Sequence, residues 1–434
     1  MARDVEVDAV VIGAGVMGSA IALELQRSGR RVVAVDKGEA VGGGSTSASS
    51  AVIRFTYSTV DGVIAAWEAM HRWVLWADYL GFTDGPVCQF HRIGKLHLPE
   101  PGYDAAPVLS HFDAVGVPYE MLDSAELARL YPALDTGCFH PPRLADDPQF
   151  FDPAHGEVEA LYMPDGGFID DPQLAATNLM DAARHHGAEV RLRRRVVEVT
   201  RSDDHVGGVV LDDGTSITAP VVVNAAGPWS SQINALAGVL DDMQITTRAL
   251  RQDVAAAEAP AGFGVGDGGA VVGDMDLGTY SRPQPGGSYL IGGVEAPCDP
   301  MNWSEDPDAD QVTSTAEMFE TLVYRAARRI PALEVPLRPM GVASHYDVTE
   351  DWTPIYDRTR LKGYYLAIGT SGNQFKNAPV VGQILHDLIA ACEAGHDHDV
   401  EPVQVQCHHT GQTLNLGTFS RNRRPASTSG TVMG

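Results

Sequence analysis

The residue types best suited to chemistry gather near the start of the chain. In "DAVVIGAGVMGSAIALELQRSGRRVVAVDKG" an apolar run leads into Gly13-x-Gly15-x-x-Gly18, then into residues at helical spacing, then into a second apolar run ending at Asp36. Gly13 permits a tight turn, Gly15 lets the backbone approach a pyrophosphate at the positive end of the helix, and Gly18 lets that helix lie close on the strand. Asp36 follows Gly18 by 18 residues, the spacing at which a carboxylate accepts from a ribose hydroxyl and disfavours a 2′-phosphate. The contacts expected from this unit are Gly13, Ala14, Gly15, Val16, Met17, Gly18, Asp36 and Lys37. Directly after it, "GEAVGGGSTSASSAVIR" (38–54) supplies backbone N–H groups and the hydroxyls of Ser45, Thr46 and Ser47 where a nicotinamide domain would enter its next helix. Such a loop suits the pyrophosphate and ring edge of a flavin, so FAD is the expected cofactor.

Two later segments repeat the pattern of strand, small-residue turn and helix. "APVVVNAAGPWSSQINALAG" runs into Ala225, Ala226, Gly227 and Trp229, and "YYLAIGTSGNQFKNAPVVGQILHDLIAA" runs through Gly369, Gly372, Asn373, Gln374, Phe375 and Lys376. Lys376 is one of only four lysines, with Lys37, Lys95 and Lys362. Between the junctions, "GGFIDDPQLAATNLMDAARHHGAEVRLRRRVVEVTRS" predicts a helix from about Pro172, a strand near 189–192 and another through Val196 and Val199, with Val196 a further cofactor contact. "CQFHRIGKLHL", "QITTRALRQDVAAA", "GTYSRPQPGGSYLIGGVE" and "LRPMGVASHYDVT" predict antiparallel strands, and "DADQVTSTAEMFETLVYRAARRI" one long helix. The expected fold is α/β with added antiparallel β: a Rossmann-type FAD-binding domain (1–86, 152–235 and 340–395) interleaved with a mixed-sheet substrate-binding domain (87–151 and 236–339). Residues 396–434 read as a loosely held C-terminal tail.

Composition narrows the partners. Acidic residues outnumber basic ones 57 to 31 in 434 residues, a net charge of −26 that opposes nucleic acid and anionic membranes and forces any anionic substrate into a private positive pocket. "RLRRR" (191–195) reads as one exposed strand. The five cysteines, Cys88, Cys138, Cys298, Cys392 and Cys407, show no pairing or metal spacing, and neither a signal peptide nor a membrane span is expected, so a reduced, cytoplasmic protein is the simpler reading. No metal site is expected; His396, His398, His408 and His409 read as solvated, and Trp67, Trp73 and Trp76 as core. No Gly-x-Ser-x-Gly and no Cys/His nucleophile pattern occurs.

The stretches "VVIGAGVMGSAIALELQRSGRRVVAVDKG", "AVIRFTYS", "VVNAAGPWS", "HYDVTEDWTPIYD" and "GTSGNQFKNAPVVGQ" together resemble the flavin amine oxidoreductases related to D-amino-acid oxidase, most closely the sarcosine oxidase and dehydrogenase branch. The resemblance implies oxidation of a small secondary, N-methylated or primary amino acid by hydride transfer to flavin N5, followed by imine hydrolysis. It implies that Arg54 and Lys376 hold the substrate carboxylate and that Tyr346 stands beside it; Tyr280 completes the set of catalytic candidates. An arginine then gives geometry and a lysine a point charge, and positive charge near flavin N1 favours the reduced ring. Non-covalent FAD is expected, because the matching loop has no histidine and Ser344 stands where some relatives carry a cysteine. Leu290 aligns with a lysine that assists oxygen in the oxidases, which tilts the expected acceptor from O2 towards a quinone or flavoprotein, with Arg282 a possible substitute. The competing readings are a 2-hydroxy acid dehydrogenase and a flavin-binding subunit of a larger electron-transfer complex.

Overall fold

The computed structural model describes residues 5–310 and 313–433. Its nucleotide side is a six-stranded sheet in the order Glu189–Arg191, Val32–Val35, Ala9–Ile12, Val221–Asn224, Tyr364–Ile368 and Ile355–Arg358, parallel throughout except for the last pair. The strands are apolar on both faces because both are covered. Ala9 and Val11 face the helices Val16–Arg27, Pro172–His185 and Ala378–Glu393, whereas Val10 and Ile12 face a four-stranded layer built from Val5–Glu6, Val196–Ser202, His205–Leu211 and Ser216–Thr218.

The predicted antiparallel strands form a nine-stranded sheet running from Trp303–Ser304 through Thr247–Glu258, Ser288–Gly293, Thr279–Gln284, Val271–Asp274, Lys95–Leu98 and Ala160–Met163 to Glu120–Leu122. Gly341–Thr349 pairs alongside Thr247–Glu258. The sheet is mixed, since Val271–Asp274 runs parallel to Lys95–Leu98. Two of its strands, Ala160–Met163 and Gly341–Thr349, come from segments that the sequence assigns to the nucleotide domain. The long predicted helix spans Ala316–Arg329, with Gln311 and Val312 outside the described residues. Its Phe319, Leu322 and Val323 pack with Leu96, Leu98, Val272 and Ile291 on one face of the sheet. By the alternation of a strand, Lys95, Gly273 and Tyr280 then point to the other face.

The reading of 396–434 as a loose tail is corrected by its packing. The hairpin Gln404–Gln406/Thr413–Asn415 sits on the helix Val60–Val74, where Asp61 accepts from the Asn415 amide at 2.9 Å and buried Glu68 accepts from the amides of His409 and Thr410. Arg421 is buried and donates to Asp242, Asp357 and Asp399 at 2.9, 3.1 and 2.7 Å. A tail rich in Ser, Thr and Pro is held here by cations placed against buried carboxylates, which composition does not report. His398 is likewise buried rather than solvated, its Nδ1 accepting from the Val403 amide at 3.0 Å.

Candidate active site

The three junctions and the nine-stranded sheet open on one continuous cavity of about 850 Å³. Its wall carries Gly13, Gly15, Val16, Met17, Asp36 and Lys37, then Ser45, Thr46 and Val196. Ala225, Ala226, Gly227 and Trp229 line it from the second junction, and Gly372, Asn373, Gln374, Phe375 and Lys376 from the third. Arg54, Tyr280 and Tyr346 stand on the same wall. Four predicted contacts do not reach it. The Ala14 amide instead donates to Asp36 Oδ2 at 2.7 Å, fixing the acid across the turn. Gly18 has no room for a side chain, since a Cβ there would lie 1.9 Å from the Gly13 carbonyl oxygen. Ser47 is exposed and donates to the Gly44 carbonyl at 2.8 Å, and the Gly369 amide donates to Asp347 Oδ2 at 2.7 Å.

These residues fit a dinucleotide. Helix Val16–Arg27 begins at Gly15 with no acid in its first turn, leaving its positive end facing the cavity, and Thr46 accepts from the Val16 amide at 3.1 Å. Side chains are absent where a ligand must pass: nothing lies within 4 Å of a Cβ built on Gly44 or Gly227, both on the wall. Lys37 pairs with Asp308 and lies 3.5 Å from the centre of the Trp229 ring, while Arg195 reaches the same aspartate at 2.8 Å.

The cationic end is more crowded than the sequence indicates. Arg54 is buried; Nη1 donates to the Thr56 carbonyl and Nη2 to the Val432 carbonyl at 2.5 Å. Lys376, 2% exposed, donates to the Asn373 carbonyl at 2.7 Å and lies 4.8 Å from the centre of the Tyr57 ring. Neither forms an ion pair with a carboxylate among the described residues. Burial holds the Lys376 ammonium well below the usual lysine range, and repulsion from Arg54 and Lys95 adds to it. Tyr280 shares a hydrogen bond of 2.9 Å with Ser50, and burial raises its phenol. Tyr346 packs against Gly372, where a Cβ would lie 2.5 Å from the ring; burial, then Tyr280 and Glu295, push its phenol well up.

Several wall residues escaped the sequence reading. Lys95 comes from a strand in the other sheet, and Asp347 adjoins the expected Tyr346. Burial pushes Asp347 up to about 7 although the Gly369 amide opposes it. Val432 and Met433 bring the C-terminal segment onto the wall, and the Val432 amide donates to Glu295 at 2.6 Å. The expectation for Leu290 and Arg282 is corrected. Leu290 lies beside Ala256 and Arg282 and does not line the cavity, while Arg282 donates to Ser50, Pro283 and Gln284. Neither side chain is available to steer an acceptor.

Burial raises the Glu295 carboxyl from 4.5 to about 8. The folded state thus favours its protonated form, so its contribution to stability is fully present below the ordinary value and is lost as pH rises through about 8. Denaturant unfolding as a function of pH should show a decline across this window that Glu295→Gln makes shallower, Asp347 supplying the rest. An equal slope in both proteins would place Glu295 in contact with water.

A cavity of this form, walled by a glycine turn, an acid at the second strand and two further strand-to-helix junctions, defines a flavin-dependent oxidoreductase. The chain belongs to the FAD dependent oxidoreductase (DAO) family, whose model matches residues 8–388. Glycine oxidase of Geobacillus kaustophilus (strain HTA426) is 25% identical over 401 residues, covering 90% of this chain and 94% of that one. Mitochondrial sarcosine dehydrogenase of Mus musculus is 28% identical over 265 residues, covering 59% of this chain and 26% of that longer protein. Among solved structures, L-proline dehydrogenase from P. horikoshii superposes with a TM-score of 0.74 at 24% identity, covering 91% of this chain and 95% of that one. The protein is therefore an enzyme with an FAD cofactor. No helix among the described residues is long and apolar enough to cross a membrane.

Proposed function

We propose that the enzyme oxidises the C–N bond of a small amino acid, secondary, N-methylated or primary. The observation that carries this reading is a pair of buried cations, Arg54 and Lys376, on one cavity wall with Tyr280 and Tyr346 and without a carboxylate ion-pair partner among the described residues, in a chain of net charge −26. The names of the glycine oxidase and sarcosine dehydrogenase relatives agree with it. Bound FAD supplies a two-electron acceptor at N5, and the imine that leaves is hydrolysed by water. The chain itself positions. A carboxylate displaces the Val432 carbonyl from Arg54 and meets Lys376, whose proton it retains in place by charge. The two tyrosine hydroxyls, on the same wall, would offer a hydrogen bond to the amine or to a carboxylate oxygen. O2, or a quinone or flavoprotein partner, would take up the electrons.

No residue here is assigned as a strong base, because a substrate amine that arrives neutral needs none. Two opposed pH effects follow. The limiting rate of flavin reduction should rise with pH through one ionisation of the bound substrate. Binding should weaken with pH, since Lys376 holds a carboxylate only when protonated and burial has lowered its pKa. A rate flat from about pH 6 to 10 contradicts the first effect, and a constant Kd the second.

FAD should be released by acid precipitation, leaving a colourless pellet and a yellow supernatant, because Ser344 rather than a thiol lines the cavity and none of the five cysteines does. Flavin retained in the pellet would reveal a covalent link. The activity itself is tested with a dye acceptor and matched amino and 2-hydroxy acids. Release of ammonia or methylamine in step with dye reduction supports amine oxidation. Turnover of hydroxy acids alone assigns the clamp to alcohol oxidation, and silence towards every small carboxylate leaves an electron-relaying subunit.

A further inference from the structure

Lys95 is the unexplained group of the cavity. It begins the strand Lys95–Leu98, is 1% exposed, and its Nζ has no hydrogen-bond partner among the described residues. Every other cation on this stretch of wall is held: Arg54 by the Thr56 and Val432 carbonyls, Lys376 by that of Asn373. The Lys95 ammonium instead lies over Gly273, where a Cβ would come within 3.0 Å of Nζ and within 3.6 Å of Met433 Cε. The missing side chain at 273 makes room for the amine itself, which fills that space with Met433 Cε beside it. His97, two residues on and on the same face of the strand, is buried with both ring nitrogens unpartnered among the described residues. Burying an amine without a partner is costly, and removing its proton avoids only part of that cost.

The charges around this point do not balance for a substrate with one acidic group. Burial holds the Lys95 and Lys376 ammoniums well below the usual lysine range and repulsion from Arg54 adds to it, while the carboxylate that interacts with Arg54, Glu295, is itself pushed by burial towards its neutral form. One substrate carboxylate satisfies Arg54 and Lys376 and leaves Lys95 with nothing. We propose that Lys95 is the specificity-determining residue for a second acidic group, so that the preferred substrate is an amino dicarboxylate. This deepens the function proposed above and rests on it for the position of the first carboxylate. The second acid group reaches Nζ from the cavity that Lys95 lines and takes its charge-assisted hydrogen bond there.

The test uses acids and their isosteric amides, which differ in charge and little in shape: glutamate against glutamine, aspartate against asparagine, and N-(carboxymethyl)glycine against its monoamide. Anaerobic stopped-flow gives a Kd and a limiting rate of flavin reduction for each. In the wild type at least one acid should bind about tenfold or more tightly than its amide. Lys95→Met, which puts an apolar chain of similar length in a buried place, should bring that ratio to about one, raising the Kd of the acid far more than that of the amide. Lys95→Arg should restore part of the preference. A wild-type preference for the amides, or a ratio untouched by Lys95→Met, overturns the proposal. So does a limiting rate that falls equally for acids and amides at constant Kd, which would assign Lys95 to proton or acceptor chemistry. If no amino acid reduces the flavin, the oxidation reading fails separately, and calorimetric titration with succinate and succinamate still decides the subsite. Tighter succinate binding that Lys95→Met abolishes supports it; equal binding in both proteins removes it.

Discussion

The double variant Arg54→Ala/Lys376→Met keeps its FAD and loses between about 10² and 10⁴ in kcat/KM towards its best amino acid. Each side chain gives a carboxylate one charge-assisted hydrogen bond worth about 1.5–3 kcal/mol, and 1.4 kcal/mol is a factor of ten. The two share one ligand group, so the sum is an upper bound and the single variants should not add. The loss should fall mainly on Kd, with Lys376→Met also making the flavin harder to reduce, because it removes a cation from the turn that lines the cavity through Gly372–Phe375. FAD retention is expected because neither residue belongs to the glycine turn or the helix start. Wild-type kinetics in both single variants would mean that the carboxylate binds elsewhere.

Gly18→Val should abolish FAD binding altogether. At 1.9 Å from the Gly13 carbonyl oxygen, even a Cβ cannot be accommodated without pushing helix Val16–Arg27 off the strand Ala9–Ile12, and that helix start is where we propose that the cofactor is anchored. Overpacking of this kind costs about 1–3 kcal/mol where neighbours can shift, and here the obstacle is backbone. The expected product is colourless protein, or protein that fails to fold, as judged by flavin content and unfolding temperature. Gly44→Ala is the matched control: nothing lies within 4 Å of its Cβ, so it should keep the cofactor unless that space is filled by FAD itself, in which case affinity drops without loss of fold. A yellow, stable Gly18→Val protein would contradict the helix-on-strand account.

How far the sequence foretold this structure depends on how local the information is. Gly13, Gly15, Asp36 and the junctions at Ala225–Gly227 and Gly372–Lys376 were legible because each is a strand, a turn and a helix in consecutive residues. Arg54, Lys376 and Tyr346 were found by resemblance; composition alone gave only the requirement for a buried positive pocket. Lys95 was not legible as a site residue. Its alternation with Leu96 marks a strand, but which face meets the cavity depends on Val271–Asp274, which joins it from far along the chain. Leu290 was read from resemblance alone; it pairs with Arg282, two residues along the strand from Tyr280, and lies off the cavity wall. The C-terminal segment looked loosely held because its polar residues were counted without their partners; Arg421 needs Asp242, Asp357 and Asp399, which lie in three separate segments.

The central claim, that Arg54 and Lys376 present a small amino acid to the cofactor for oxidation, is tested most directly by mixing the oxidised enzyme with amino acids in the absence of oxygen and following the visible flavin band. The account predicts saturable, complete bleaching of the wild type by at least one amino acid, and a sharply raised Kd for the same compound in Arg54→Ala/Lys376→Met. A flavin that stays oxidised with every amino acid, or one that bleaches equally well in the double variant, would contradict it.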